Sequence, residues 1–359
     1  MTDIVKSTHA YENWLRSRLG RAVVAKDLER KHEKMCESAF AFLRAAYWRW
    51  AETVLDICPE VAKAPAILAV GDIHLENFGT WRDADGRLVW GVNDFDEAAE
   101  MPYALDVIRL ATSALLAHKT AASVERTSSA ILGGYSRGLA GPRPTVLDRD
   151  HGWLLKQVAV SEKKRAKFWK KIEEGKWSKA PADYRAALSA AMPAPRLAIK
   201  TAPRTAGAGS LGRPRWIGLA DWYGAPVVRE AKAVLPSVWH RAHGARTTRM
   251  RCGEIAAGRY RAADPWYRIS KGIVVRRLSP NNRKIEADDD PAFLLSDQTL
   301  DLMGFELASV HVGVANRTGA ITRDLSRRKS GWLADCATRM AGAVEADMTA
   351  WATAQKPKR

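Results

Sequence analysis

The sequence VGDIHLENFGTWRDADGRLVWGVNDFD occupies residues 70–96 and places polar side chains directly after two short apolar runs. The runs AILAVGD and RLVWGVND are each typical of a short strand that ends in a turn, and the polar segment WRDADGR separates them. Because a hairpin would bring the ends of two such strands together, we expect the polar groups that follow them to converge. These groups are Asp72, His74 and Asn77 after the first run, and Asp94 and Asp96 after the second.

The predicted convergence of carboxylate and amide oxygens favours a magnesium site. Mg²⁺ takes one or two carboxylates plus an amide oxygen, and it completes its octahedron with water and phosphate oxygens. Asn77, Asp94 and Asp96 are therefore candidate metal ligands. Asp72 is a candidate to orient or deprotonate a hydroxyl. The alternative, that these residues only punctuate turns, is disfavoured because five such groups lie so close together.

The same stretch resembles the catalytic segments of known phosphotransferases. GDIHLEN resembles the G-D-x-H-x-x-N loop of aminoglycoside phosphotransferases and choline kinases, and VNDFDEA resembles their metal-binding segment, with Asp94 in the place of the Asp of D-F-G. PYALDVIRLA resembles the helix that follows, whose Asp, here Asp106, would brace the catalytic loop. With AFAFLRA upstream, these motifs also resemble an uncharacterised bacterial family described as a domain of unknown function with kinase-like signatures. The resemblance is strongest at residues 32–116 and 204–236.

The resemblance implies a nucleotide-binding lobe, but none precedes Asp72 in the chain. The candidate lies downstream, in the G-x-G-x-x-G segment GAGSLG at 207–212. This motif could also form a dinucleotide-binding turn. That turn must open a helix, however, and Pro214 followed by the β-like WIGLA favours a strand-loop-strand hairpin, whose backbone N–H groups can approach phosphates closely. The residues that this interpretation assigns to the phosphates are Gly207, Gly209, Ser210 and Gly212.

A cation after the glycine-rich hairpin is the next part that the resemblance implies. The following strand ends in PVVREAK, where Lys232 is the first candidate to hold the α and β phosphates and Arg229 is a competitor. A solvated strand-end lysine is the alternative. Glu254, in a helix further along, would pair with the lysine as the corresponding helix glutamate does in kinases. ATP and Mg²⁺ are accordingly the expected cofactors.

The order of these segments predicts a circular permutation. From residue 200 onward come the glycine hairpin, the lysine strand, a glutamate-bearing helix, the strand GIVVRRLS and a long helix with His311, whereas the catalytic loop lies near the other end of the chain. Termini of compact domains are often close together, so such a rearrangement can preserve a site. We predict an α+β, protein-kinase-like two-lobed fold with extra helices. Its parts would be a helical lobe at 1–195 with the catalytic and metal-binding loops, a small β-rich nucleotide-binding lobe at 196–285, and a helical segment at 286–359 that completes the large lobe.

Apolar periodicity and turn residues predict the remaining elements. The first fifty residues should be helical, because they combine good helix formers with helical spacing of apolar side chains. Further helices are expected at 104–118, 241–262, 294–315 and 332–351. WIGLA and PVVREAK should form a hairpin that turns at 221–224. The lysine-rich segment 161–179 should be an exposed helix.

The composition adds a basic charge balance. Lys plus Arg number 57 against 40 Asp plus Glu, giving a formal charge of +17, and the 359 residues are 47% hydrophobic, which is enough for a sizeable core. The charge points to anionic partners. The four cysteines are widely spaced, which disfavours a zinc site or a disulfide framework. The N-terminus does not resemble a leader and no long uncharged apolar run occurs, so we expect a cytoplasmic protein without a membrane partner.

These features together favour an ATP- and Mg²⁺-dependent phosphotransferase that acts on a hydroxyl acceptor, with Asp72 orienting and deprotonating that acceptor. His74 either shapes the catalytic loop or is a hydrogen-bonded structural residue. One alternative keeps the fold but transfers AMP from a reversed ATP, or only binds nucleotide. Another is a basic nucleic-acid-binding protein that uses 161–179, 241–251 and some tryptophans, which the lack of a nucleic-acid motif disfavours. A metallophosphoesterase is disfavoured because no G-N-H or H-x-H ligand set occurs.

Overall fold

The computed structural model of the protein describes residues 2–117, 123–244 and 249–356. Helices and strands both contribute, which confirms the predicted α+β class. Within these ranges the α-helices are α1 (Ile4–Leu19), α2 (Ala25–Glu37), α3 (Ala39–Ala45), α4 (Tyr47–Ile57), α5 (Tyr103–Leu116), α6 (Val124–Ala140), α7 (Gly152–Val158), α8 (Glu162–Glu173), α9 (Ala182–Ala190), α10 (Val238–His243), α11 (Cys252–Ala256), α12 (Pro291–Leu294), α13 (Asp297–His311), α14 (Thr318–Arg327) and α15 (Trp332–Ala354). The strands are β1 (Ala66–Ala69), β2 (Phe78–Arg82), β3 (Leu88–Val92), β4 (Ala99–Pro102), β5 (Thr145–Val146), β6 (Lys200–Pro203), β7 (Arg215–Trp222), β8 (Ala225–Ala233), β9 (Arg268–Ser270) and β10 (Ile273–Leu278).

The first fifty residues form helices, as predicted. Asp3 and Ser38 start α1 and α3, because their side chains accept hydrogen bonds from backbone N–H groups of the first turn. Tyr11 of α1 stacks on Trp48 of α4, with 4.0 Å between the ring centroids. The helices ahead of β1 are therefore packed against one another and do not form a loose N-terminal arm.

The helical core is built around α6 and α13, whose backbones touch. Gly134 on α6 faces the backbone of Asp301, and Gly304 on α13 faces the carbonyl oxygen of Ile131, so that a Cβ at either glycine would collide. The helices predicted at 104–118, 294–315 and 332–351 correspond to α5, α13 and α15. Residue 118 lies outside the described residues.

A five-stranded antiparallel sheet has the order β6-β7-β8-β10-β9. β7 and β8 form the predicted hairpin, which turns through Tyr223 and Gly224, both with positive φ. Leu188 of α9 packs on one face of the sheet, and Ile172 of α8 packs on the other. All five strands lie within the predicted segment 196–285, although the lobe boundaries themselves remain a prediction.

Two smaller sheets position the polar groups of residues 70–96. β1 pairs with β4, and β2, β3 and β5 form a three-stranded sheet. The hairpin lies between β2 and β3 and does not join the two apolar runs directly, because FGTWR extends as a strand up to the turn. Asp83 closes this turn by accepting hydrogen bonds from the backbone N–H groups of Asp85 and Arg87.

The continuous helix predicted at 241–262 is wrong. Among the described residues of this segment, only 241–243, at the end of α10, and the short α11 are helical. Residues 245–248 lie outside the described residues. α10 ends at Gly244, whose φ of 65° is a conformation that glycine adopts readily and that stops a helix. By contrast, an exposed helix lies within the predicted segment 161–179, but α8 ends at Glu173, and its Ile172 side chain packs on the sheet.

Cys36, Cys58, Cys252 and Cys336 are free. Two of them nevertheless come together, because the ligand atoms of Cys58, Cys336 and Glu60 lie within 4.8 Å of one another. The guanidinium group of Arg339 donates to both Glu60 and the Cys336 sulfur, and so supplies a cationic partner there. In the described part of the chain, every helix is too short or too polar to span a lipid bilayer.

Candidate functional site

A cavity of about 450 Å³ lies between the five-stranded sheet and the loops that follow β1 and β3. Its volume is within the usual range of small-molecule sites. The predicted site residues that line it are Asp72, His74, Asn77, Asp94, Asp96, Gly207, Gly209 and Ser210. The two predicted segments, 70–96 and 207–232, are therefore in direct contact although they are distant in sequence.

The catalytic-type loop after β1 is fixed at its start by α5. Gly71 has a φ of +81°, and a Cβ there would lie 2.5 Å from the carbonyl oxygen of Glu97. The position before Asp72 therefore requires glycine for steric reasons. Asp106 accepts hydrogen bonds from the backbone N–H groups of Val70 at 2.6 Å and Gly71 at 2.9 Å. His311 lies 3.0 Å from the same carboxylate. These are the contacts expected of a residue that braces this loop.

Asp72 is held by a buried arginine that the sequence reasoning missed. Arg109 Nη2 lies 2.5 Å from Asp72 Oδ1 and 2.8 Å from the carbonyl oxygen of Leu43. The guanidinium group lies over the rings of Tyr47 and Trp50. Burial raises the pKa of Asp72, and Arg109 opposes that increase. Arg109 follows Asp106 by three residues, so both side chains lie on one face of α5. This spacing is a sequence signal from which Arg109 could have been predicted as a site residue.

Asn77 is oriented by its amide nitrogen and leaves its amide oxygen free. Nδ2 donates to the backbone oxygens of Asp72 at 3.2 Å and Asp94 at 3.0 Å. Oδ1 is buried without a hydrogen-bond partner among the described residues. Because buried polar atoms are nearly always satisfied, this oxygen is suited to a ligand such as a cation.

Asp94 and Asp96 share one cation, Lys232 of β8. Lys232 Nζ lies 3.1 Å from Asp94 Oδ2 and 2.6 Å from Asp96 Oδ2. Burial alone would raise the pKa of Asp94, but Lys232 and Arg276 outweigh it and hold that pKa well below its usual range. Burial and the charge of Asp94 raise the pKa of Asp96 to about 6, against the pull of Lys232. The two carboxylates therefore titrate as a pair.

His74 makes the contacts of a structural residue. Its Nδ1 accepts a hydrogen bond from the backbone N–H of Glu76 at 3.2 Å, which caps the 3₁₀ turn at Leu75–Asn77. Burial lowers the pKa of His74 well below its ordinary value, with Arg44 contributing in the same direction. The imidazole is therefore neutral, and a part in catalysis remains a prediction for this residue.

The glycine-rich segment connects β6 to β7, which confirms the strand-loop-strand hairpin. Gly209 lies over Asp72, since a Cβ at Gly209 would stand 2.9 Å from Asp72 Oδ2. Ser210 Oγ accepts a hydrogen bond from Arg215. Gly212, with a φ of +94°, packs against Leu28 of α2 and lies outside the cavity lining.

Two predicted phosphate-site residues lie elsewhere. Arg229 Nε donates to the carbonyl oxygen of Ala191, and its guanidinium group lies over Trp266, because odd-numbered positions of β8 face away from the cavity. Glu254 pairs with Arg251 at 2.5 Å and does not contact Lys232. The short α11 holds both partners of that pair near its start, so the predicted Lys232–Glu254 pair is wrong.

Further groups near the site were not predicted, because their position depends on the tertiary fold. Lys31 of α2 is buried, and its Nζ donates to the carbonyl oxygens of Gly209 at 2.7 Å and Ala45 at 3.2 Å. Glu230 of β8 is fully buried beside three arginines. Glu230 and Lys232 are two residues apart, so their side chains lie on the same face of β8. This spacing was the only sign in the sequence that Glu230 lies near the site.

Comparison with known proteins identifies similarity over one part of the chain. Residues 21–140 match the model of a family described as an uncharacterized protein conserved in bacteria (DUF2252). That range includes the loop after β1 and the Asp94 segment, and it ends before the glycine-rich hairpin. No curated protein and no solved structure matched the chain. The expected similarity to a domain-of-unknown-function family is therefore supported for this third of the sequence.

Proposed function

We propose that the protein is an ATP- and Mg²⁺-dependent phosphotransferase with a hydroxyl-bearing acceptor, built on a circularly permuted, protein-kinase-like two-lobed fold. The observation that carries the proposal is the meeting of two distant segments in one cavity. Lys232, on the strand after the glycine-rich hairpin, contacts Asp94 across 138 residues of sequence. Gly209 of the hairpin lies over Asp72. These are the parts that phosphoryl transfer requires: a phosphate cradle, a cation, a metal site and a base.

The donor set fits a magnesium ion. Asn77 offers a buried amide oxygen that lacks a partner in the described residues, and Asp94 and Asp96 offer carboxylate oxygens in the same cavity. Hard oxygen donors of this number suit Mg²⁺ when waters and phosphate oxygens complete its coordination. Asn77, Asp94 and Asp96 would hold the ion, which supplies charge neutralisation at the phosphates when bound.

Asp72 is the group that would receive the acceptor's proton. Arg109 fixes one carboxylate oxygen and leaves the other facing the hairpin. As the acceptor oxygen bonds to the γ-phosphorus, its proton would pass to Asp72, and the bond to the ADP oxygen would break. The raised pKa of Asp72 makes it a better proton acceptor than an exposed aspartate.

The glycine-rich hairpin and Lys232 would align the phosphate chain. Gly209 brings the backbone of the hairpin close to Asp72, where an ordinary side chain would collide. Lys232 lies between the hairpin strand and the candidate metal ligands. Catalysis would then consist mainly of alignment and electrostatic stabilisation of the transferred group.

Product analysis tests this proposal. The protein would be incubated with ATP, Mg²⁺ and a panel of small hydroxyl compounds, and the nucleotides separated by chromatography. We expect ADP from the wild type and from the exposed-turn control Asp85→Asn, and none from Asp94→Asn. Lys232→Ala should be impaired where Lys200→Ala is not. Formation of AMP with a nucleotidylated acceptor would contradict phosphoryl transfer, and so would an absence of any nucleotide product with every acceptor.

A further inference from the structure

A second charged group lines the cavity on the side of the five-stranded sheet. At its centre is Glu230 of β8, whose carboxylate is fully buried. Arg204 Nη1 lies 2.7 Å from Oε2, while Arg215 Nη1 and Arg276 Nε lie 2.5 Å and 2.8 Å from Oε1. Arg215 is on β7, Arg276 is on β10, and Arg204 directly follows β6. Antiparallel pairing therefore brings three arginines to one carboxylate.

The positive charge of this group exceeds its negative charge. Arg276, Arg215 and Arg204 overcome the effect of burial and hold the pKa of Glu230 well below its usual range, so the carboxylate is ionised. Three guanidinium charges against one carboxylate leave a net charge of +2. Burial and repulsion from the other two arginines lower the pKa of Arg204, although Glu230 opposes this.

Lys232, the neighbouring cation on β8, does not add to this excess of positive charge. Lys232 is two residues from Glu230 on the same face of β8, but it contacts both Asp94 and Asp96. Its charge is therefore matched within the candidate metal site. The three arginines therefore carry more positive charge than the single carboxylate that they contact.

The arginines have hydrogen-bond donors left for a ligand. Each guanidinium group carries five N–H donors, and its contact with Glu230 uses one of them. Arg204 and Arg276 line the cavity and keep 26% and 30% of their side-chain surface exposed. Arg215 also donates to Ser210 Oγ at 2.6 Å, which links the group to the glycine-rich hairpin.

We propose that Arg204, Arg215 and Arg276 form a subsite for a polyphosphate chain, and that Glu230 is the positioning residue that holds their guanidinium groups. A planar guanidinium group can donate two parallel hydrogen bonds to the oxygens of one phosphate group. The polyphosphate chain would cross the sheet between Glu230 and the glycine-rich hairpin. That the chain belongs to a nucleoside triphosphate rests on the proposed function. The subsite uses none of the candidate metal ligands, although Arg276 and Arg215 lie close enough to Asp94 to lower its pKa.

Inorganic tripolyphosphate is the probe that separates the subsite from the rest of the site. By isothermal titration calorimetry without Mg²⁺, we expect tripolyphosphate to bind the wild type and the exposed control Arg30→Ala equally. Arg204→Ala and Arg276→Ala should each weaken binding by about 10- to 100-fold, the effect of losing a hydrogen bond to a charged group. Asp94→Asn should retain binding. No binding to the wild type, or equal binding by the arginine variants, would overturn the subsite.

Substitution of Glu230 tests its positioning role through the sign of the effect. Glu230→Gln increases the positive charge of the cavity, so affinity for tripolyphosphate would rise if the arginines stayed in place. We expect affinity to fall, because the guanidinium groups lose the carboxylate that orients them, and we expect Glu230→Asp to restore part of it. Unchanged or stronger binding by Glu230→Gln would overturn the role. A folded state for each variant is checked by thermal denaturation.

The outcomes of the two proposals are distinct. Tripolyphosphate binding that depends on the arginines, together with no Mg²⁺-dependent ATP binding, would support the subsite and contradict the phosphotransferase. Mg²⁺-dependent ATP binding that is lost in Asp94→Asn but unaffected by Arg204→Ala and Arg276→Ala would support the phosphotransferase and overturn the subsite.

Discussion

Lys31 Nζ donates a hydrogen bond to the carbonyl oxygen of Gly209 at 2.7 Å, which joins positions 178 residues apart. The glycine-rich hairpin is thus tied to the N-terminal helices. Two further bonds have the same effect: the backbone N–H of Val24 donates to Gly212, and Thr205 Oγ1 donates to Asp27. The hairpin is therefore held in position over Asp72 by helix α2 and the residue that precedes it.

Removal of the Lys31 side-chain donor should loosen this hairpin. Lys31→Met keeps an unbranched side chain of similar length and deletes the bonds to Gly209 and Ala45. A charge-assisted hydrogen bond contributes about 1.5 kcal/mol or more, so amide hydrogen exchange in residues 205–212 should accelerate about tenfold. Lys26→Met, on the exposed side of the same helix, is the control. Equal exchange rates in the two variants would show that the bond does not restrain the hairpin.

Lys31 should also give the folding stability a pH dependence. Burial lowers the pKa of Lys31 from 10.5 to about 7 in the folded state. Between these values the unfolded chain binds more protons than the folded one, so the free energy of unfolding rises as pH increases. Urea unfolding at pH 7 and pH 9 should show this rise in the wild type relative to Lys31→Met. If the free energy of unfolding of the wild type does not rise relative to that of Lys31→Met between pH 7 and pH 9, folding does not lower the pKa of Lys31.

Gly209→Ala should disturb Asp72 without unfolding the protein. The added Cβ would lie 2.9 Å from Asp72 Oδ2, so the carboxylate or the hairpin must shift. A displacement of about 1 Å in a catalytic group can lower turnover by roughly 100-fold. Gly342→Ala, at an open position of α15, should leave turnover unchanged. Full activity in Gly209→Ala would contradict the close approach of the hairpin to Asp72.

The Asp72–Arg109 pair should show strong energetic coupling. Arg109→Leu leaves the Asp72 carboxylate, whose side chain is 21% exposed, without its fully buried cation. Removal of one partner of a buried pair typically destabilises a protein by about 3–5 kcal/mol, and less where the remaining group reaches solvent. The double variant Asp72→Asn/Arg109→Leu removes both charges and should recover part of that loss. A double-mutant cycle by urea unfolding measures the coupling. Additive effects of the two substitutions would contradict a direct pair.

The convergence of Asp72, Asn77 and Asp94 could be predicted because it depends on local features. The β2–β3 hairpin brings Asn77, which directly precedes β2, next to Asp94, which follows β3, and the Asn77 side chain joins both to Asp72. The hairpin of WIGLA and PVVREAK was also predictable from its turn residues. FGTWR, which forms β2, was not predicted as a strand, because its apolar run is short and interrupted by Gly79.

Residues positioned by the tertiary fold could not be predicted in the same way. Lys31 lies in AKDLERKHEKMCE, a highly charged helix in which a lysine would ordinarily face solvent. Arg229 and Lys232 were both candidates for the phosphate-binding cation. The alternation of side chains along β8 places Arg229 on the opposite face from Lys232. The role of Glu254 depended on a helix through residues 241–262, and α10 ends at Gly244. Arg204 and Arg276 meet only because β6 and β10 flank the β7–β8 hairpin.

The most direct test of the central claim is calorimetric titration of ATP into the protein with and without Mg²⁺. We predict that Mg²⁺ strengthens ATP binding in the wild type and in Asp85→Asn, because the ion joins the phosphates to Asn77, Asp94 and Asp96. Asp94→Asn should lose that enhancement. ATP binding that is the same with and without Mg²⁺, or an enhancement that survives in Asp94→Asn, would contradict the account.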